Sequence, residues 1–385
     1  MAIIDKISSY KDDLIAIRRD LHEHPELGMQ EFRTSGIVAD YLQQWGIEVH
    51  TGIGNTGVVG VLKGQSEGRM IGLRADMDAL PIHECTNLAF ASKTPGVMHA
   101  CGHDAHTTML LGAARYLAET RQFSGTAVFI FQPAEEGLGG ARAMLADELF
   151  DRFPCEEIYG MHNLPDGNPN QVGVKPGQAM AGADFFDITI NAAGSHAAMP
   201  HQSIDPIVIG SSLVQQLQSI VSRNVPPTQP LVLSITQIHA GSAYNVIPSQ
   251  CTLSGTMRYF DNGLADVVRQ RMQALCDGVA KGYGIDITFD RRNIFDVLVN
   301  DEQLSHVMLD VAAEVVGKEN TEIKSEVVTG SEDFADMLRV IPGAYCTVGH
   351  GGTLPLHNDG FILDEGILPV GSSIYARLIE KRTAA

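Results

Sequence analysis

The residues best suited to chemistry in this chain fall in a few short clusters. In His99-Ala-Cys-Gly-His-Asp-Ala-His106, Cys101 and His103 stand two positions apart. Thiolate and imidazole are the softest common ligands for a first-row divalent metal. Gly102 between them lets the backbone turn so that both side chains can face one point. Taken alone, the same residues would also suit a polar loop with a buried cysteine. Phe131-Gln-Pro-Ala-Glu-Glu-Gly137 closes an apolar run and sets Glu135 beside Glu136. Two adjacent carboxylates are costly unless a cation is near or one holds a proton. A division of labour follows, one binding metal and the other moving protons; the alternative is a solvated helix N-terminus, which favours acids. Tyr159-Gly-Met-His-Asn163 puts His162 at the end of an apolar strand, and the glycine-rich run Gly349 to Asn358 can present His357 or His350. Arg74-Ala-Asp-Met-Asp-Ala-Leu-Pro81 places Asp76 and Asp78 on one side of an extended segment. Such a pair can orient ligand imidazoles from behind or pair with Arg74.

The elements that must position these residues follow from hydrophobic periodicity. Helices are predicted at Tyr10–Leu21, Glu31–Trp45, His106–Glu119 and Ala141–Leu145, and strands at Gly57–Leu62, Met70–Leu73, Thr126–Phe131 and Ile158–Met161. Short apolar strands separated by helices indicate a largely parallel sheet covered on both faces. The texture changes near Gly182. Strands at Phe185–Asn191, Leu231–His239, Val246–Tyr259 and Ile285–Phe289 alternate with helices at Pro206–Val221 and Ala265–Val279. That β-α-β-β-α-β order matches a ferredoxin-like sandwich. Helices at Gln303–Val316 and Asp333–Leu338, a strand at Gly343–Val348 and a last helix from Gly366 restore the α/β texture. The fold class is therefore α/β, with residues 1–183 and 294–385 forming one discontinuous domain around an inserted α+β domain at 184–293.

Composition bounds the partners. The chain has 385 residues, a length that suits two domains. Forty-six acids against 27 basic residues leave a formal charge of −19, which argues against nucleic acid or an anionic membrane as partner. Seven of those acids (Asp76, Asp78, Asp104, Glu135, Glu136, Glu332 and Asp333) fall in the motifs of one expected metal-centred site. No window approaches the roughly 18 apolar residues of a membrane span. Six thinly spread cysteines do not form a disulfide framework, and with no apolar signal segment at the N-terminus a cytoplasmic location is expected.

In order along the chain, Arg18-Arg-Asp-Leu-His-Glu-His-Pro-Glu-Leu-Gly28, the Arg-Ala-Asp-Met-Asp-Ala-Leu-Pro run, His-Ala-Cys-Gly-His-Asp, Gln-Pro-Ala-Glu-Glu-Gly, Met-His-Asn and Leu-His-Asn resemble one family. It is the dinuclear-metal amidohydrolases that include hippurate hydrolases, N-acetyldiaminopimelate deacetylases and auxin-conjugate hydrolases, within the aminoacylase and carboxypeptidase superfamily. The resemblance runs from about residue 10 to 380. It implies a metallopeptidase-type α/β catalytic domain and an inserted lid or dimerisation domain, through which the chain would form a homodimer or homotetramer. It also implies two divalent metal ions per subunit (Zn, Mn, Co or Ni), with Cys101, His103, Glu136, His162 and His357 as ligands and Cys101 close to both ions. Glu135 would be the general acid/base. Where the wider superfamily carries a ligand histidine two residues before the orienting aspartate, this chain has Asp76, with Asp78 in the aspartate's place. From the inserted domain, the resemblance implies His196 as oxyanion stabiliser, Asn245 and Arg258 as grips on a substrate carboxylate, and Thr329 and Gly330 in a substrate-lining loop.

The implied reaction is hydrolysis of the amide of an N-acyl amino acid. The nearest rival is a metallocarboxypeptidase or dipeptidase cleaving a C-terminal peptide bond by the same chemistry. A third reading uses Cys101 as a thiolate nucleophile with His103. A metal-binding homologue without catalysis would be expected to lack a base or a ligand, and none is missing from the motifs.

Overall fold

The strands Met70–Asp76, Thr126–Gln132, Glu157–Leu164 and Gly343–Gly349 run parallel, side by side, in the computed structural model, which describes residues 2–384. They are buried along almost their whole length. Strands covered on both faces must be, and this is why they read as continuous apolar runs. They form the centre of an eight-stranded sheet. Towards one edge lie Gly57–Lys63 and Glu48–Ile53, and towards the other Val172–Val174 and Thr321–Ile323.

The sheet is mixed, where a largely parallel one was expected. Glu48–Ile53 pairs antiparallel with Gly57–Lys63, and Val172–Val174 antiparallel with Gly343–Gly349. The first pairing follows from a tight turn, with Gly54 at φ 62° and Asn55 at φ 90°. Parallel neighbours would need a crossover of a dozen residues or more. Glu48–Ile53 was not predicted, because its half-exposed sequence Glu-Val-His-Thr-Gly-Ile carries no apolar run. The helices Lys11–Glu23, His103–Thr120 and Leu368–Arg382 pack together, burying Leu14, Leu21, Leu110, Leu117, Ile374 and Leu378.

The register of the parallel strands has a chemical consequence. Asp76 stands opposite Gln132, and His162 opposite Thr347, so the strands finish at one common edge. Ligands of open parallel sheets sit at that edge, where successive crossovers leave a crevice.

The chain also forms a second compact unit, Met180–Leu298 together with Val328–Glu332. Four antiparallel strands make its sheet, in the order Leu231–Ala240, Gln250–Tyr259, Gly182–Asn191, Asp286–Phe295. Burial alternates along Gln250–Tyr259, with every second residue inside. The inner face packs on the helices Pro206–Arg223 and Asn262–Tyr283 through Ile188, Ile190, Leu213, Leu253, Val268 and Met272. Asp205 and Asp261 cap the two helices by accepting from Ile207 N and Leu264 N. The predicted strand Val246–Tyr259 is in fact two, Val246–Ile247 and Gln250–Tyr259. Pro248 lies in the break, where it has no N–H to give to a ladder.

Asp184 is the most heavily bonded carboxylate of this unit, and it is 1% exposed. Arg269 donates to it from Nε at 2.7 Å and from Nη2 at 2.8 Å, with Asn293 Nδ2 at 3.1 Å and Arg291 Nη1 at 3.3 Å. Burial alone would raise its pKa, but the hydrogen bonds from Arg269 and Asn293 win and hold it below the ordinary value. Its contribution to stability is therefore present above the unfolded carboxylate value of about 3.9 and lost as pH falls through the folded one. Breaking such a buried pair costs about 3 kcal/mol. Chemical denaturation of Asp184→Asn should show that loss at pH 7, and the gap to the parent should shrink below about pH 4. Equal stability at pH 7, or a gap unchanged by acid, contradicts this account.

Candidate metal centre

Each candidate ligand of the first unit comes from the end of a central strand or from a turn beside it. Cys101 precedes the helix His103–Thr120, which begins three residues earlier than predicted, at His103 itself. Gly102 has φ 97°, and a Cβ there would lie 2.2 Å from Asn163 Nδ2. Only glycine fits. Asn163 Nδ2 in turn donates to Cys101 O at 2.6 Å, which pins the loop.

Hydrogen bonds to acceptor-only groups fix the imidazole tautomers. His103 Nδ1 lies 3.1 Å from Asp78 Oδ1, so Nδ1 carries the proton and Nε2 keeps its lone pair. That Nε2 is buried and has no hydrogen-bond partner. His162 Nδ1 donates to Asn163 O at 2.6 Å, leaving the Nε2 lone pair 3.3 Å from Cys101 Sγ. The other oxygen of Asp78, Oδ2, accepts from Glu136 N at 3.0 Å. One carboxylate thus orients the ring of His103 and the backbone of Glu136 together.

Two donor sets result, with ligand atoms in each all within 4.8 Å of one another: Cys101 with His103 and His162, and Cys101 with Glu136 and His357. Cys101 belongs to both. Glu135 joins His103 and Glu136 in a third such set and is 6% exposed. His357 Nε2 lies 3.2 Å, and His103 Nε2 3.9 Å, from Glu136 Oε1. A buried lone pair without a donor is costly, and the thiol, imidazole and carboxylate donors suit a first-row divalent cation. These residues fit such an ion.

Protonation is coupled to metal binding at these groups, because a ligand thiol or imidazole must give up its proton to the ion. Burial, aided by the charge of Glu136, pushes the Cys101 thiol well above its usual range. A thiol so placed is a poor nucleophile, which weighs against the thiolate reading; it ionises readily only against a cation. His162 is pushed down by burial. Burial would lower His103 too, but Asp76, Cys101 and Asp78 together raise it. His357 is raised by its hydrogen bond to Glu136.

Two residues of the motifs lie outside the donor sets. Asp104 does not face the donors; it pairs with Arg18 Nε at 2.9 Å and His22 Nδ1 at 2.7 Å, which hold it well below the usual carboxylate range despite burial. Of the two loop histidines, His350 is buried edge-on against Phe361 and joins no donor set among the described residues, whereas His357 does. Asp76 sits behind the donors. Its Oδ1 lies 2.6 Å from His106 Nδ1, and its Oδ2 takes Arg74 Nη1 at 2.8 Å.

His106 was missed. Its Nε2 accepts from Asn163 N at 3.0 Å, and its ring stands edge-on to His162 at 4.5 Å. The spacing of His103 and His106, three apart on one helix face, could have found it.

In the second unit, His196 and Asn245 lie on facing segments. His196 pairs with Val246, and Ala197 N donates to Asn245 O at 3.0 Å. Both residues line an open cavity of about 770 Å³ with Gly194, Gly241 and Pro248. Arg258 is half-buried, donates to Ser331 Oγ at 2.7 Å and lies 5.9 Å above the Phe185 ring. Thr329 and Gly330 are exposed, and Gly330 O accepts from Ala181 N at 3.0 Å.

Known proteins resemble the whole chain. It is 40% identical to the hippurate hydrolase of Campylobacter jejuni over 99% of both chains. To the N-acetylcysteine deacetylase of Bacillus subtilis it is 42% identical over 95% of both. Among solved structures, the Bacillus subtilis YXEP protein, described as a dinuclear metal binding peptidase, superposes with a TM-score of 0.82 at 38% identity, covering 97% of this chain and 98% of that one. The model of peptidase family M20/M25/M40 matches residues 72–381, which hold every donor described above, and the chain belongs to that family.

Proposed function

We propose that the protein is a metal-dependent amidohydrolase that cleaves N-acyl amino acids to a carboxylic acid and a free amino acid. The observation that carries this reading is the pair of donor sets sharing Cys101, with the unpartnered His103 Nε2 inside and Glu135 beside them. The similarity to a hippurate hydrolase and an N-acetylcysteine deacetylase supports the substrate class.

The proposed holders of two divalent cations are Cys101, His103 and His162 for one, and Cys101, Glu136 and His357 for the other. Zn, Mn, Co and Ni all suit such ligands. When bound, the ions supply an acidified water and positive charge for the developing oxyanion. Glu135 takes the proton from the attacking water and returns it to the departing amine. Asp78 keeps His103 and Glu136 aimed, and Asp76 does the same for His106 behind His162. In the second unit, His196 is assigned to oxyanion stabilisation, Asn245 and Arg258 to the substrate carboxylate, and Thr329 and Gly330 to the lining of the substrate site. That unit is also assigned the contact in a homodimer or homotetramer. All six cysteines are free, five of them buried, which suits a reducing cytoplasm. No helix among the described residues is long and apolar enough to cross a membrane.

Glu135→Gln should leave metal stoichiometry unchanged while kcat falls by about 10²–10⁴. Full activity in that variant would remove Glu135 from its role. A panel of N-benzoyl, N-acetyl and indole-acetyl amino acids, assayed beside a blocked dipeptide after chelation and add-back of each metal, tests the rest. Turnover of the N-acyl substrates should vanish on chelation and return with metal. Preference for the dipeptide would favour the peptidase activity, and indifference to chelation would refute the metal mechanism.

A further inference from the structure

One buried carboxylate near the centre has no place in this mechanism. Glu31 is 0% exposed and forms no ion pair among the described residues. Its only side-chain partners are neutral donors: Thr56 Oγ1 at 2.5 Å and the backbone N–H of Ala134 at 2.8 Å. Burial, with the nearby charge of Asp78, raises its pKa. A carboxylate kept under such conditions is expensive.

Its position makes the arrangement less expected still. Glu31 is the residue before the helix Phe32–Gln44, where an acid ordinarily accepts from the first turn of its own helix. Glu26 does that work instead, accepting from Arg33 N at 3.0 Å and Thr34 N at 2.8 Å. Glu31 is thereby released to reach Ala134.

Ala134 has φ 52°, a left-handed conformation that a residue with a Cβ adopts at a cost. Glu135 and Glu136 follow it directly. The turn is closed further along by Gly137 N donating to Glu135 O at 2.6 Å and Gly140 N to Ala134 O at 3.0 Å. Gly28 packs against it so closely that a Cβ would lie 3.0 Å from Ala134 Cα. On the far side, Asp78 Oδ2 holds Glu136 N. Ala79 N donates to Glu26 O at 2.8 Å, so the segment from Glu26 to Glu31 is anchored to the same strand end that carries Asp78.

We propose that Glu31 is a positioning residue for the reaction: by holding the Ala134 N–H it sets the turn that splits two adjacent carboxylates between separate tasks. Without that acceptor the Ala134 N–H would be a buried orphan, and the left-handed turn would relax. Glu135 and Glu136 would then both lose their aim. The inference rests on the proposed roles of these two residues, but its geometric part can be measured apart from them.

The test compares Glu31→Gln with Glu31→Met in the full chain. Gln keeps an acceptor for Ala134, whereas Met fills the space without one. Glu31→Met should lower kcat by about 10²-fold with KM little changed, the scale expected when reacting groups are misplaced by about 1 Å. It should also speed hydrogen exchange in segment 132–137 and weaken Mn²⁺ affinity. Glu31→Gln should stay close to the parent in all of these. Equal behaviour of the two variants, or unchanged exchange at 132–137 in Glu31→Met, overturns the proposal. If Glu31→Met does not fold, Glu31→Gln still decides: a large loss of kcat in a natively folded Gln variant also overturns it. Normal turnover in Glu135→Gln would instead refute the reading beneath it, whatever Glu31 does.

Discussion

Charge buried at the end of a parallel sheet is the constraint on which this architecture depends. The strand ends and loops at one edge carry Asp76, Asp104 and Asp333 below the surface, and none could stay ionised there uncompensated. Two buried arginines solve most of the problem. Arg74 gives Nη1 to Asp76 at 2.8 Å, Nη2 to Asp333 at 3.1 Å and Nε to Gln132 Oε1 at 2.8 Å. Arg18 meets Asp104 at 2.9 Å and Glu365 at 3.4 Å. Each guanidinium has rigid, separated donors, so each fixes several chain segments at once, which a lysine could not do. Arg74 ties two neighbouring strand ends to the start of the helix Phe334–Leu338. Arg18 ties the N-terminal helix Lys11–Glu23 to the first turn of the helix that follows Cys101.

With those charges settled inside the chain, some of the polar atoms left over lie in the candidate site. His103 Nε2 is orphaned, and His162 Nε2 is left facing Cys101 Sγ. Two other imidazoles nearby are spent. Both nitrogens of His106 are engaged, and His22 is shared between Asp104 and Glu84. The distinction between a ligand and a structural histidine here takes both a free nitrogen and other donors beside it: His99 and His350 have unpartnered buried nitrogens but join no donor set among the described residues.

That distinction separates what was legible in the sequence from what was not. The central strands were legible because burial on both faces demands an unbroken apolar run, and the motifs were legible because they follow those strands. Glu48–Ile53 was hidden, since an edge strand can be half polar; the Gly54-Asn55 turn after it was the only mark. The start of the helix at His103 was hidden because Gly102, at φ 97°, acts as a sharp entry that periodicity does not register. Partner choice was hidden most completely. Asp104 sits in the same motif as Cys101 and His103, yet it serves Arg18 and His22, supplied from far along the chain. Glu31 shows the same limit from the other side: an acid before a helix reads as a cap, and only the fold reveals that Glu26 has taken that role.

The formal charge of −19 therefore has to be read locally. Asp104 is matched by Arg18, whereas Asp76 and Asp333 share Arg74. Under the proposed occupancy, Asp78, Glu135, Glu136 and an ionised Cys101 bring four negative charges against four positive ones from two divalent ions. With the ions bound, the ligand histidines would be neutral. The ions would then offset the carboxylates and thiolate gathered at this sheet edge, where unbalanced charge away from water is poorly screened. Under that reading, an overall acidic protein still presents local positive charge to a developing oxyanion.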